Sequence, residues 1–205
     1  MAEPLTFYTN PQSRGRIVRW MLEEVGAQYE TKVVNYGPEM KTAPYIDINP
    51  MGKVPAIQHG NAIVTECAAI CAYLADAFPQ AELAPAPSDR AAYYRWFFFA
   101  AGPLESAVTN RSMGWEAPEE KQMMAGYGNF DLARNTLIKA VSSTPYTTGD
   151  KFTAADVYIG SQVGFGLQFG SIPTSPELEA YRDRIYAREA YNRASELDNA
   201  LMPAT

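Results

Sequence analysis

The apolar positions in the first part of the chain alternate between the period of a strand and the period of a helix. Leu5-Thr6-Phe7-Tyr8 reads as a short strand, stopped by Asn10-Pro11. Ile17, Val18, Met21, Leu22 and Val25 then share one face of a helix predicted over Ser13 to Val25, and Gly26 supplies the residue that ends it. Tyr29 to Asn35 predicts a second strand, and Pro38 to Asn49 a helical turn and loop. Val54–Ile57 and Ala62–Thr65 flank His59-Gly60-Asn61, which is the pattern of a hairpin. Glu66 to Ala77 predicts a further helix, with Ile70, Tyr73, Leu74 and Ala77 on one face. The order strand–helix–strand–helix–hairpin–helix predicts an α/β unit with a mixed sheet.

Beyond this region the strand signals nearly vanish. Pro79, Pro85 and Pro87 mark residues 80–88 as a linker between a domain over 1–79 and a helical domain over 89–205. Helices are expected over Arg90–Asn110, Glu119–Val141, Thr153 to about Gln168, and Pro176–Glu189. Thr153-Ala154-Ala155-Asp156 has the form of a capping box with Asp in place of Glu. Tyr93, Tyr94, Trp96, Phe97, Phe98 and Phe99 surround one predicted helix on every side, which implies a helix that is buried or faces a partner chain. Part of it reads as a dimer interface and part as pocket wall. Asn110, Arg111, Met113 and Trp115 follow as substrate-side candidates by position, and Phe165, Gln168 and Phe169 are expected in the core.

Composition narrows the functional classes. The 205 residues are 47% hydrophobic and 20% charged, as in ordinary soluble globular proteins. A net charge of −6 argues against nucleic-acid binding, which needs a basic face. The most apolar run, Trp96 to Gly102, is too short to span a bilayer. Cys67 and Cys71 stand four apart on one predicted helix, which is poor disulfide geometry, so a reducing cytoplasm is the expected location. His59 is the single histidine, which removes most Ser-His-Asp, Cys-His and zinc arrangements; no metal is expected.

Two motifs carry the candidate chemistry. In Asn49-Pro50-Met51-Gly52-Lys53-Val54-Pro55-Ala56-Ile57, Pro55 has no N–H to give a ladder. A Val-Pro bond is also where a cis peptide costs least. Such a bond would leave the Val54 N–H and C=O free to pair with an extended peptide. In Ala62-Ile63-Val64-Thr65-Glu66-Cys67-Ala68-Ala69-Ile70, a strand ends where a helix opens, and free N–H groups at a helix start suit an anionic group. Together they suggest a small peptide held by its main chain at Val54 and by a carboxylate near Glu66 and Cys67.

In this order and spacing the motifs resemble the glutathione transferase family, and the resemblance covers most of the chain. It implies a thioredoxin-like α/β domain, with a mixed four-stranded sheet and helices, followed by an all-α helical-bundle domain. It implies glutathione as co-substrate and no metal, with Pro55 as the family's cis-proline. Val54 would hold the tripeptide's main chain, Lys53 the glycine carboxylate, and Glu66 the α-ammonium of the γ-glutamyl group. Cys67 replaces the family's serine, leaving its backbone N–H to serve the γ-glutamyl carboxylate. The first strand–helix turn, Tyr8-Thr9-Asn10-Pro11-Gln12-Ser13-Arg14-Gly15, has no Cys-x-x-Cys, so the remaining task there is activation of a bound thiol. Aligned on Ser13-Arg14, Asn10 stands where theta-like and delta-like transferases carry a catalytic serine; Ser13 and Thr9 are the competing donors. Asn10 and Ser13 are equally suited to capping the helix. The implied protein is a cytoplasmic homodimer that joins glutathione to a small hydrophobic electrophile. The alternatives are a glutathione-dependent disulfide reductase or peroxidase, and a non-catalytic binding or dimerisation module.

Overall fold

A computed structural model describes residues 3–202; residues 1, 2 and 203–205, at the outer ends of the two expected domains, lie outside it. The chain divides into two compact units, one formed by residues up to Leu83 together with those from Arg188 onward, the other by Ala84–Ala187.

The first unit is thioredoxin-like. Strands β1 (Leu5–Thr9) and β2 (Glu30–Val33) pair in parallel through the crossover helix α1 (Gly15–Val25). A short helix α2 (Tyr45–Ile48) leads to the hairpin of β3 (Ala56–His59) and β4 (Ala62–Thr65), and the sheet runs β2-β1-β3-β4. Alternation in β1 buries Leu5, Phe7 and Thr9 while Thr6 and Tyr8 stay partly exposed. Helix α1 buries Ile17, Val18, Trp20, Met21, Leu22 and Val25, and Gly26 closes it in the left-handed region at φ 65°. The Gly26 N–H reaches Glu23 O and the Ala27 N–H reaches Leu22 O, satisfying carbonyls left over at the helix end. Helix α3 (Cys67–Ala77) buries Ile70, Cys71, Leu74 and Ala75 against α1 and β3.

The second unit is all helical, with α4 (Ala91–Phe99), α5 (Glu105–Ser112), α6 (Phe130–Ser142), α7 (Ala154–Gln168) and α8 (Pro176–Tyr186). One wide π turn, Ala100–Leu104, joins α4 to α5 and contains Pro103, whose ring and missing N–H do not fit an α-helical ladder. Helix α7 is buried on nearly every side and packs on α4 and α8. Its start is organised by Asp156, which is wholly buried. Asp156 Oδ2 accepts from the Thr153 N–H at 2.9 Å, and Oδ1 accepts from the Thr147 N–H at 2.8 Å and the Tyr181 hydroxyl at 2.8 Å. Burial pushes its carboxyl above the usual range, against these hydrogen bonds.

Three sequence expectations change. The helix expected from Glu119 begins only at Phe130, because Gly128 turns at φ 67° and Asn129 caps the new start by accepting the Leu132 N–H. In the aromatic helix Tyr93, Trp96 and Phe97 are inside, while Phe98 is 74% and Tyr94 48% exposed. Phe169 and Gln168 are exposed at the end of α7, outside the core. A last helix, α9 (Glu189–Asn199), follows α8 after a break and packs on α1.

Two substitutions test these packing arguments. A Cβ on Gly15 would stand 2.0 Å from Thr9 Oγ1. Gly15→Ala is therefore expected to lose about 2 kcal/mol in urea unfolding despite better helix propensity. The double variant Thr9→Ala/Gly15→Ala should recover most of that loss; additive losses would contradict the clash. Asp156→Asn turns an amide against donors that need an acceptor and should cost about 2–3 kcal/mol. An unchanged urea midpoint would show that the network is not needed.

Candidate functional site

The register of the sheet places three segments at one end. Tyr8 stands opposite Ala56, and Ala56 opposite Thr65. The turn after β1, the residues before β3 and the start of α3 after β4 therefore leave from the same edge. Cys67 Sγ lies 3.7 Å from the Arg14 carbonyl, which joins the start of α3 directly to the first turn.

In that first turn the three candidate donors differ in their surroundings. Thr9 is fully enclosed, with its Oγ1 facing Gly15. Asn10 is 7% exposed; its Nδ2 donates to Val34 O at 3.2 Å and its Oδ1 accepts from the Gln12 N–H at 3.0 Å. An amide nitrogen carries two protons, so one Asn10 donor is left beyond the Val34 bond. Ser13 is partly exposed; its hydroxyl donates to Asn10 O at 2.7 Å and accepts the Gly15 N–H at 2.9 Å. Tyr8 is a strand residue whose hydroxyl reaches Gln58 Oε1 at 3.4 Å.

The second segment holds a cis Val54–Pro55 bond. Ladder pairing of β3 begins at Ala56, so Val54 precedes the paired residues. Pro55 is buried, Val54 partly exposed and Lys53 exposed. The Lys53 carbonyl accepts from Tyr45 Oη at 2.5 Å and from Asn49 Nδ2 at 2.8 Å, which fixes the backbone ahead of Val54. Burial pushes the Tyr45 hydroxyl up to about 12, so it stays a donor.

The third segment carries the clearest backbone outlier. Glu66, an exposed carboxylate at the N-cap of α3, sits at φ 66° and ψ 119°. A side-chain-bearing residue held there costs about 1–3 kcal/mol, and such strain gathers at ligand clamps. Cys67 is partly exposed and Cys71 buried; neither is in a disulfide, and burial pushes the Cys71 thiol well up.

Sequence reasoning found these segments from their motifs but missed the residues that brace them, Val34 and Tyr45 among them, which no local pattern marks. In the helical unit, Asn110 Nδ2 donates to Tyr127 Oη at 3.1 Å and the Arg111 guanidinium lies 4.0 Å from the Phe130 ring centroid. Met113 and Trp115 are 52% and 67% exposed. Among the described residues, no group of three His, Cys, Asp or Glu side chains is placed to hold a metal ion, and no helix is long and apolar enough to cross a membrane.

Comparison with known proteins agrees with this architecture. The family model for the glutathione S-transferase N-terminal domain matches residues 3–76. Glutathione S-transferase hmp2 of Hypomyces subiculosus is 25% identical over 93% of this chain and 97% of its own. A maleylacetoacetate isomerase of Pseudomonas aeruginosa is 28% identical over 97% of this chain and 98% of its own. A glutathione transferase from Methylococcus capsulatus superposes with a TM-score of 0.79 at 25% identity, covering 96% of this chain and 99% of that one. A glutathione transferase homologue from Sulfitobacter, solved with bound glutathione, superposes at 0.75 with 24% identity, covering 97% and 99%. Residues 3–76 thus match the glutathione S-transferase N-terminal domain, and the chain as a whole has the fold of these glutathione transferases.

Proposed function

We propose that the protein binds glutathione along the common edge of its sheet and ionises the bound thiol for attack on a small hydrophobic electrophile. The observation that carries this reading is the alignment of Tyr8, Ala56 and Thr65, which brings the first turn, Val54 and Glu66 to one edge. The bound glutathione reported for the Sulfitobacter homologue supports it.

Each residue then has a chemical task. The tripeptide pairs with the Val54 main chain as an added strand does. Its γ-glutamyl carboxylate takes the N–H groups at the start of α3, beginning with Cys67, and its ammonium takes the Glu66 carboxylate. Lys53 supplies the cation for the glycine carboxylate. The thiol must lose about two units from a free value near 8.5, which is roughly 2.7 kcal/mol in favour of the thiolate. Asn10 is the preferred donor, because its second amide proton is not required by Val34. For Ser13 to donate, its hydroxyl must first give up the Asn10 carbonyl. Thr9, fully enclosed, acts through packing beneath Gly15. The positive end of α1 adds to the stabilisation.

A second reading is favoured by the relatives named maleylacetoacetate isomerase. There the same thiolate would add to a conjugated cis double bond, allow rotation, and leave again. Disulfide or peroxide reduction uses the thiolate on a sulfur or oxygen instead. Turnover of an aromatic halide, maleylacetoacetate and a mixed glutathione disulfide, run side by side, separates the three.

The reading predicts that Glu66→Ala weakens glutathione binding by well over tenfold, about 1.4 kcal/mol or more, in calorimetric titration. Unchanged affinity would remove the γ-glutamyl contact. Glu66→Gly should lose binding equally while gaining about 1 kcal/mol of stability, since glycine tolerates the positive φ. Asn10→Ala should return the bound thiol towards the free value and lower kcat with Kd largely intact. If Ser13→Ala does this and Asn10→Ala does not, Ser13 is the donor.

A further inference from the structure

The end of α9 meets α1 through two arginines that stand three residues, and so about one helical turn, apart. Arg19 Nε donates to Asp198 Oδ1 at 2.7 Å, in a pair whose side chains are 3% and 1% exposed. Arg19 Nη1 also reaches Tyr29 Oη and Thr31 Oγ1, both at 3.2 Å, and its guanidinium lies 5.1 Å from the Phe7 ring centroid. These contacts anchor α9 to α1, β1 and the start of β2.

One turn nearer the candidate site, Arg16 has a different pair of partners. Its Nη2 donates to Asn199 Oδ1 at 2.9 Å, and its Nε donates to the Pro11 carbonyl at 2.6 Å. The guanidinium is a rigid planar fork, so fixing Nη2 on Asn199 fixes the direction in which Nε donates. The Pro11 carbonyl and the Gln12 N–H belong to one planar peptide unit. That same Gln12 N–H donates to Asn10 Oδ1 at 3.0 Å. A chain of four rigid links therefore runs from the last helix to the amide of Asn10.

We infer that Arg16 is a positioning residue for thiol activation, and that Asn199, near the far end of the sequence, holds it in place. The inference rests on the proposed reading of the Asn10–Ser13 turn as the thiolate-binding element. Arg16 sets the plane of the Pro11–Gln12 peptide, that plane orients the Asn10 amide, and the amide meets the thiolate. Helix α9 is thus part of the machinery of the first unit.

The test uses the full chain and two substitutions that keep the charge of Arg16: Asn199→Ala, and Arg16→Lys, which loses the fork. Glutathione affinity is measured by calorimetry, thiolate formation by ultraviolet absorbance against pH, and turnover on the same samples. Both variants should raise the pKa of the bound thiol by about 0.5–1 unit and lower kcat at neutral pH about three- to tenfold, with Kd within about threefold. Asn199→Asp, which keeps the acceptor, should behave as the parent. The Arg16–Asn199 bond is exposed, so Asn199→Ala should fold with a nearly unchanged thermal midpoint. A parent-like thiol pKa and kcat in folded Asn199→Ala and Arg16→Lys would overturn the inference while leaving the proposed function standing. A parent protein that binds glutathione without lowering its thiol pKa, or does not bind it, would overturn both.

Discussion

The antiparallel pairing of β1, β3 and β4 in one register is the constraint on which the candidate site depends. Side chains in a strand have a period of two, so a slip of one residue would turn Phe7 and Ile57 out of the core. The register is therefore held by burial. Its consequence at the sheet edge is that Tyr8, Ala56 and Thr65 share a row, and whatever follows or precedes them must meet there. Three segments far apart in sequence become neighbours without any of them needing to contact the others strongly.

On that frame, local devices fix the individual groups. The Tyr45 hydroxyl and the Asn49 amide hold the Lys53 carbonyl, so the chain enters Val54 in a set direction. Asn10 bridges from Gln12 to Val34, tying the first turn to the residue that follows β2. Gly15 allows the start of α1 to lie directly on Thr9. Glu66 is the exception to local comfort: its positive φ is imposed where β4 gives way to α3. Strain of that kind persists only where surrounding structure over-determines it.

The buried Arg19–Asp198 pair does a different task. A charge pair with little access to water is not efficient glue, since desolvation offsets much of the attraction. It is specific, however, because either partner alone would leave an uncompensated charge beside Phe7 and Tyr29. That favours one seating of α9 on α1, with Arg188 paired to Glu24 at 2.6 Å and Arg193 to Glu23 at 3.4 Å further along. A polar helix is thereby given a single docking position, and its last turn a defined reach.

Local sequence determined a good deal of this. The period-two and period-3.6 patterns, Gly26, the Thr153–Asp156 box and the hairpin residues act within a few positions, so the strands, α1, α3, α7 and the mixed sheet were legible. So were Asn10, Ser13, Lys53, Val54, Pro55, Glu66 and Cys67 as candidates, because each lies in a short motif. The tertiary structure decided what such patterns do not encode. It ended an apparent helix at Gly128–Asn129, exposed Phe98 and Phe169, enclosed Thr9, and brought α9 back to α1. It also paired Arg16 with Asn199 and Arg19 with Asp198 across nearly the whole chain. The reason is physical: periodicity and caps report a residue's neighbours along the backbone, whereas a buried charge or a positioned carbonyl is defined by groups that only folding brings together.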